Sequence, residues 1–168
     1  MGKLDQNIDT VLFSAQQIDQ RLKELGEQIS RDYRGRPLYL VVILKGAFVF
    51  CADLIRHLDA DLSVGFMVVS SYGGATETSG TVRIVKDLQR NIEGMDVLLI
   101  EDIVDTGLTI NHLLELLQTR KPRSLKVCSL LSKPECRRVD VPIDYLGFDI
   151  PNEFVVGYGL DYDQCYRQ

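Results

Sequence analysis

Several special classes are excluded by what this 168-residue sequence lacks. No apolar run approaches the ~18 residues of a membrane span. Charge of positive sign is not in excess: the net charge is −5, which disfavours unspecific binding to nucleic acid or to an anionic membrane surface. The four cysteines contain no CxxC pair, and neither His57 nor His112 stands at ligand spacing from any of them, so a zinc site is not expected. Neither G-x-x-x-x-G-K-[ST] nor G-x-G-x-x-G occurs. There is no internal repeat and no low-complexity tract. Met1-Gly2-Lys3-Leu4-Asp5 does not open a basic region followed by an apolar stretch, so no secretory signal is expected and a cytoplasmic location is the default. Hydrophobic residues at 45% and charged residues at 26% describe an ordinary globular chain of one domain.

The hydrophobic pattern alternates between helix and strand. Ser14 and Gln17 form a capping-box pattern, followed by Ile18, Leu22, Leu25 and Ile29 at helical spacing. Gly35 and Pro37 end that helix. Leu38 to Leu44 is a continuous apolar run, as in a strand covered on both faces. Lys45-Gly46 stops it, and Ala47 to Leu58 reads as a helix. Leu62 to Tyr72 is strand-like, and Thr81 to Leu88 is rich in β-formers. Asp96 to Ile100 reads as a short buried strand, Thr109 to Gln118 as a helix and Leu125 to Leu131 as another strand. From Val139 onward, prolines, turns and aromatics suggest a small irregular lobe. Strands alternating with helices predict an α/β fold with a mainly parallel twisted sheet flanked by helices. Ligands of such sheets bind at the carboxyl ends of the strands.

The sharpest feature at a strand end is Val97-Leu98-Leu99-Ile100-Glu101-Asp102-Ile103-Val104-Asp105-Thr106-Gly107-Leu108-Thr109. An apolar strand ends in two carboxylates, then a short glycine-bearing loop leads into a helix. Backbone N–H groups at a helix start favour an anion, and Thr106 and Thr109 add hydroxyl donors. Paired carboxylates beside them suit sugar hydroxyls or a divalent cation. A phosphate site beside a diol site describes a sugar phosphate. On residue types alone the run also fits a plain strand–turn–helix junction with Asp105 or Thr106 as N-cap. Three acids in five residues argue against that, because they repel one another in a small space.

This run resembles the phosphoribosyl pyrophosphate signature of the type I phosphoribosyltransferases. Leu44-Lys45-Gly46, Ser71-Tyr72, Leu130-Leu131-Ser132-Lys133 and the segment Phe154-Val155-Val156-Gly157-Tyr158-Gly159-Leu160-Asp161-Tyr162 narrow the resemblance to bacterial hypoxanthine–guanine phosphoribosyltransferases. The similarity runs in order from about residue 10 to the C-terminus. It implies a core over about residues 35–135 with a hood lobe from both chain ends, about 1–13 and 139–168. It implies purine salvage: transfer of 5-phosphoribose from phosphoribosyl pyrophosphate to N9 of hypoxanthine or guanine, with release of pyrophosphate. The implied cofactor is Mg²⁺. The implied partners are the purine base and phosphoribosyl pyrophosphate, with no nucleic acid and no membrane, and the chain would form a homodimer or homotetramer.

Carried onto this sequence, Glu101 and Asp102 would meet the ribose hydroxyls directly or through Mg²⁺. Asp105, Thr106, Gly107, Leu108 and Thr109 would wrap the 5′-phosphate. Asp105 would also face purine N7 as general acid or base, in water-poor surroundings. Lys45 and Gly46 would hold pyrophosphate, with a non-proline cis peptide before the lysine, and Arg167 would reach it from the C-terminus, with Arg137 a weaker candidate. Lys133 would donate to the oxygen at purine carbon 6, Phe154 would stack on the ring, Leu160 would line the pocket, and Val155 and Asp161 would present carbonyls near carbon 2. The Asp161 side chain would hold a second Mg²⁺ through water or pyrophosphate. Ser71, Tyr72 and the glycine-bearing loop after them (73–80), a long mobile loop by composition, would close as a lid. Without the resemblance, Lys45 and Lys133 read as solvated strand ends, Phe154 as a core aromatic and Arg167 as a frayed terminus. Two rivals of other classes are a pyrimidine-operon attenuator of the same fold, which binds RNA and carries an aromatic residue where Asp105 stands, and a phospho-acceptor switch domain, which leaves 154–162 unexplained.

Overall fold

A computed structural model describes residues 8–71 and 82–168, with Ser71 described by its backbone alone. The expected lid residues Tyr72 and 73–80, and residues 1–7 of the expected hood, lie outside the described residues. The elements are α1 (Ala15–Asp32), β1 (Leu38–Leu44), α2 (Phe48–Leu54), β2 (Leu62–Ser71), β3 (Val82–Lys86), β4 (Asp96–Val104), α3 (Leu108–Gln118), β5 (Ser124–Ser132) and β6 (Tyr145–Asp149). The strands form one six-stranded sheet in the order β3-β2-β1-β4-β5-β6. Among these strands the β2–β3 pair is antiparallel and the rest are parallel, as the apolar runs predict.

Alternation along each strand divides the core into two layers. Leu38, Leu40 and Val42 of β1, with Leu98 and Ile100 of β4, pack under α1 (Leu22, Leu25, Ile29) and α2 (Phe50, Cys51, Leu54). Tyr39, Val41, Val97, Leu99 and Val127 face the other way, under Ile110, Leu113 and Leu117 of α3. The capping box at the start of α1 is formed: Ser14 N donates to Gln17 Oε1 (2.9 Å), and Gln17 N donates to Ser14 Oγ (3.3 Å).

Three expectations are corrected. The helix expected over Ala47 to Leu58 is α-helical only to Leu54 and continues as a 3₁₀ turn, Ile55–His57. There α1 crosses so closely that a Cβ at Gly26 would stand 2.6 Å from His57 O. The strand expected to end at Ile100 runs to Val104, because β5 carries the pairing onward through Ile103↔Leu131 and Val104↔Ser132. The acids at 101 and 102 therefore lie within β4. The irregular lobe expected from Val139 includes β6, a parallel edge strand of the main sheet. Its open edge is covered by α1: Arg21 Nε donates to Gly147 O (3.0 Å) and Nη2 to Leu146 O (2.7 Å). Such cover blunts an edge that would otherwise invite pairing with another chain.

At the end of the sheet opposite the carboxyl ends of β1, β4 and β5, Asp96 is fully buried. It accepts from Arg123 Nη2 (2.5 Å) and Ser124 Oγ (2.6 Å), with Arg36 at 3.5 Å. The bond from Arg123 outweighs the burial penalty and holds this carboxyl below its ordinary range. A depressed folded-state pKa gives stability that is present above the unfolded value, near 3.9, and is lost as pH falls through the folded value. Asp96→Asn is expected to lower unfolding stability by about 1–2 kcal/mol at neutral pH, since the arginine partners are half exposed. In denaturant titrations the difference from wild type should shrink as pH drops below about 4.

Candidate active site

Strand order and register bring the predicted residues to one edge of the sheet. β1, β4 and β5 are neighbours, and their carboxyl ends carry Lys45, Glu101 to Asp105, and Lys133. Pairing between β1 and β4 stops at Val42↔Ile100. Beyond that level β1 turns away at Lys45, and Asp102 of β4 sits against the Lys45-Gly46 turn while Glu101 is buried. This is the point where successive connections leave the sheet in opposite directions, the usual crevice of open parallel sheets.

The turn after β1 is shaped around the acids. The Leu44–Lys45 peptide is cis, as the family resemblance implies. A Cβ at Gly46 would lie 1.5 Å from Asp102 Oδ2, so glycine leaves the room in which the carboxylate sits. Gly46 is covered in turn by the C-terminal segment. A Cβ at Gly159 would lie 2.0 Å from Gly46 O, and Gly159 has φ +105°. Gly159 N donates to Arg167 O (2.8 Å), and Arg167 Nη1 donates to Gly159 O (2.6 Å). Gly159→Ala is therefore expected to push this segment off the Lys45-Gly46 turn. The measurable result is a lower melting temperature, together with weaker binding of any anion held by that turn.

Glu101 and Asp102 form a coupled buried pair. Burial pushes Glu101 well above the ordinary carboxylate range, and the neighbouring Asp102 charge acts in the same direction. Burial also raises Asp102, opposed by a hydrogen bond from Glu101, by the Ile103 N–H and by the Arg167 charge. Ile103 N donates to Asp102 Oδ1 at 2.8 Å. Glu101 Oε2 is buried with no hydrogen-bond partner among the described residues. Among the described residues no group of three His, Cys, Asp or Glu side chains could enclose a metal ion. A lone buried carboxylate oxygen beside a second carboxylate fits Mg²⁺, which is commonly bound by one or two carboxylates and completed by substrate phosphates and water.

The loop after β4 is clamped from one side. Arg138 N and Val139 N donate to Thr106 O (2.9 and 3.2 Å), and Gly107, at φ +85°, has Val139 O where a Cβ would be (2.4 Å). Gly107 caps α3 with no side-chain bond. Neither Asp105 nor Thr106 is the N-cap, which removes the plain-junction reading of these residues. Thr106 Oγ1 accepts from Leu108 N (3.4 Å), and Thr109 lies in the first turn of α3. Asp105 is exposed, so described residues alone do not build the water-poor setting expected for it. Arg137, weighed as a pyrophosphate contact, donates to Asp105 O (3.1 Å) and Ser132 Oγ (3.0 Å) and so braces the loop.

Lys133 follows β5 directly, and its N–H donates to Val104 O (3.0 Å). The residue is 8% exposed, and no described acceptor takes a hydrogen bond from its Nζ. It is not the solvated strand end that residue type alone suggests. Phe154, by contrast, is 73% exposed and not a core residue. It meets Tyr162 edge to face at 5.8 Å between ring centroids. Val155 and Leu160 pack against the core under α1 and α2. Asp161 Oδ1 forms an ion pair with Arg167 Nη2 (2.8 Å), its Oδ2 accepts from Gln164 N (2.8 Å), and Lys45 Nζ donates to Gln164 Oε1 (2.8 Å). Contacts thus join Lys45, Gly46, Asp102, Gly159, Asp161 and Arg167, while no contact among described residues links Phe154 to Lys133. Sequence reading missed Tyr162 as a neighbour of Phe154, and Gln164 and Gly159 as parts of the turn. The run of aromatics and glycines from 154 to 162 was the signal available. Two surface grooves of about 420 and 570 Å³, one beside Phe13 and Phe148 and the other beside Ser30 and Asp61, hold none of these residues.

Comparison with known proteins agrees with this arrangement. Residues 10–163 match the family model described as a phosphoribosyl transferase domain. The chain is 51% identical over 164 residues to the hypoxanthine-guanine phosphoribosyltransferase of Streptococcus thermophilus, covering 98% of this chain and 91% of that one. It is 54% identical over 167 residues to the enzyme of that name from Mycobacterium tuberculosis, covering 96% and 83%. A crystal structure of a hypoxanthine phosphoribosyltransferase from Staphylococcus aureus superposes with a TM-score of 0.96 at 49% identity, covering 99% and 90%.

Proposed function

The chain belongs to the phosphoribosyltransferase family, and on that premise we propose that it transfers phosphoribose from phosphoribosyl pyrophosphate to hypoxanthine or guanine in purine salvage. The observation that carries the choice of base is Lys133: a donor-only side chain, nearly buried at the strand end, with no acceptor for it among the described residues. A purine with an oxygen at carbon 6 supplies that acceptor.

Purine N9 attacks ribose carbon 1 as the bond to pyrophosphate breaks. Asp105 exchanges a proton with N7 and so keeps the ring neutral as N9 bonds. The α3 start, with Thr106 and Thr109, holds the 5′-phosphate, and Glu101 and Asp102 hold the ribose hydroxyls. Lys45, Gly46 and Arg167 receive the pyrophosphate. Phe154 stacks on the base, Leu160 closes the pocket beneath it, and the carbonyls of Val155 and Asp161 meet carbon 2. Glu101 and Asp102 would hold one Mg²⁺, and the Asp161 side chain a second through water or pyrophosphate; when bound the metal supplies neutralisation of the leaving group's charge. The unpartnered Glu101 Oε2 supports that assignment. Ser71 and Tyr72 belong to the proposed lid, which excludes water from an oxocarbenium-like transition state. In this proposal about residues 35–135 with the edge strand β6 are the core, and the rest of 139–168 with the N-terminal residues (about 1–13) are the hood. Phe13 stacked on Phe148 at 4.0 Å supports joining the two ends. A homodimer or homotetramer in the cytoplasm completes it; no helix among the described residues is long and apolar enough to cross a membrane.

The test is pyrophosphate release with phosphoribosyl pyrophosphate and Mg²⁺ on adding hypoxanthine, guanine or uracil. Release with the first two and not with uracil is expected. Excess chelator should abolish it, and full turnover in chelator would remove the metal from the account.

A further inference from the structure

Gln164 occupies a position its residue type does not favour. Tyr162 N donates to Cys165 O (3.0 Å) and Cys165 N to Tyr162 O (2.9 Å), closing a two-residue hairpin turn. Its central residues, Asp163 and Gln164, have φ +48° and +65°. Both positive values mark the turn in which Asn-Gly or Asp-Gly is preferred, and a long side chain at the second position costs stability. Here that side chain reaches back across the site. Its Oε1 takes the bond from Lys45 Nζ at 2.8 Å, and Arg167 Nη2 lies 3.4 Å from the same oxygen. Those two cations are the ones assigned to pyrophosphate above.

We infer that Gln164 is a displaceable stand-in for a pyrophosphate oxygen, and so sets how tightly this enzyme holds pyrophosphate and the diphosphate of its substrate. The inference rests on the pyrophosphate role proposed for Lys45 and Arg167. A neutral amide oxygen is a weaker acceptor for two cations than a phosphate oxygen, because charge-assisted bonds at both ends are stronger. The amide therefore holds the Lys45 ammonium and gives Arg167, already paired with Asp161 at 2.8 Å, a second, longer contact, and it yields to the anion. The exchange lowers net affinity, because a bond already made is given up. For a product that must leave, a weaker hold is useful.

Substitution separates this role from a structural one. Gln164→Gly removes the amide while suiting the positive φ, so melting temperature should hold or rise. Gln164→Glu places a carboxylate between Lys45 and Arg167. Binding of inorganic pyrophosphate with Mg²⁺, measured by calorimetry at fixed ionic strength, should tighten about three- to tenfold in the Gly variant and weaken about tenfold in the Glu variant. KM for phosphoribosyl pyrophosphate should move in the same directions, and KM for hypoxanthine should not move. A Gly variant that binds pyrophosphate no more tightly than wild type overturns the inference. Nucleotide formation from hypoxanthine by the wild type, run alongside, checks the activity separately: an active wild type with an unresponsive Gly variant sinks the role of Gln164 alone.

Discussion

Asp105→Asn is expected to retain the fold and most nucleotide affinity while losing ~10²–10⁴-fold in turnover, the usual span for a general acid–base group. The Asp105 side chain is exposed, and its side-chain hydrogen-bond partner is the Cys136 thiol, a donor that an amide oxygen can accept from as well. The loop is held through backbone carbonyls, from Arg137 to Asp105 O and from Arg138 and Val139 to Thr106 O. An isosteric amide leaves those contacts intact. A carboxylate beside a phosphate-binding loop repels its own ligand, so its presence there calls for a chemical reason. Proton exchange with purine N7 is that reason. The expected pattern is a fall in kcat with little change in KM for either substrate, read from initial rates, with an unchanged melting temperature. Near-normal turnover of the Asn variant would remove Asp105 from the mechanism.

Lys133→Gln is expected to change which purine is used. The ammonium has donors only. Hypoxanthine and guanine present an oxygen at carbon 6, so the pair is charge-assisted. Adenine presents an amino group there and would leave a nearly buried ammonium without a partner. An unpaired charged donor costs more than the ~1–3 kcal/mol of a neutral one, so wild type should discriminate by more than ~10–100-fold. In the Gln variant the charge is gone and the amide oxygen can turn to accept from adenine. Hypoxanthine use should fall sharply, and the ratio of kcat/KM between hypoxanthine and adenine should narrow. An unchanged ratio would assign the choice to Phe154 stacking and to the backbone of 155–161 instead.

The strand–helix alternation was legible because each central strand is apolar on both faces, and a run such as Leu38 to Leu44 is too short and too uniformly apolar for an amphipathic helix. β6 was not. Gly147 looks like a breaker, yet a Cβ there would lie 2.2 Å from Leu130 O, so glycine is what lets β6 lie against β5. Pro142 nearby made the whole stretch read as turns. The acids of β4 were found by residue type, but the strand end was set too early, because its pairing with β5 depends on a neighbour distant in sequence. The same limit hid the turn at Tyr162–Cys165. Positive φ suits Asp163 but not the long side chain of Gln164, which is held there by the local bond to Asp161 and by the contact with Lys45, 119 residues away in sequence. Lys133 and Phe154 were each misjudged by type alone and corrected by context: the lysine is buried and the aromatic exposed.

The central claim is that the strand-end acids, the phosphate loop and Lys133 together make a 6-oxopurine phosphoribosyl transfer site. It is tested most directly by competition. The enzyme is incubated with phosphoribosyl pyrophosphate, Mg²⁺ and an equimolar mixture of hypoxanthine, guanine, adenine and uracil, and the nucleotides formed are separated and identified by mass. The account predicts the 5′-monophosphates of hypoxanthine and guanine, formed in equal amount to the pyrophosphate released. The adenine or uracil nucleotide as main product, or pyrophosphate release without any nucleotide, would contradict it.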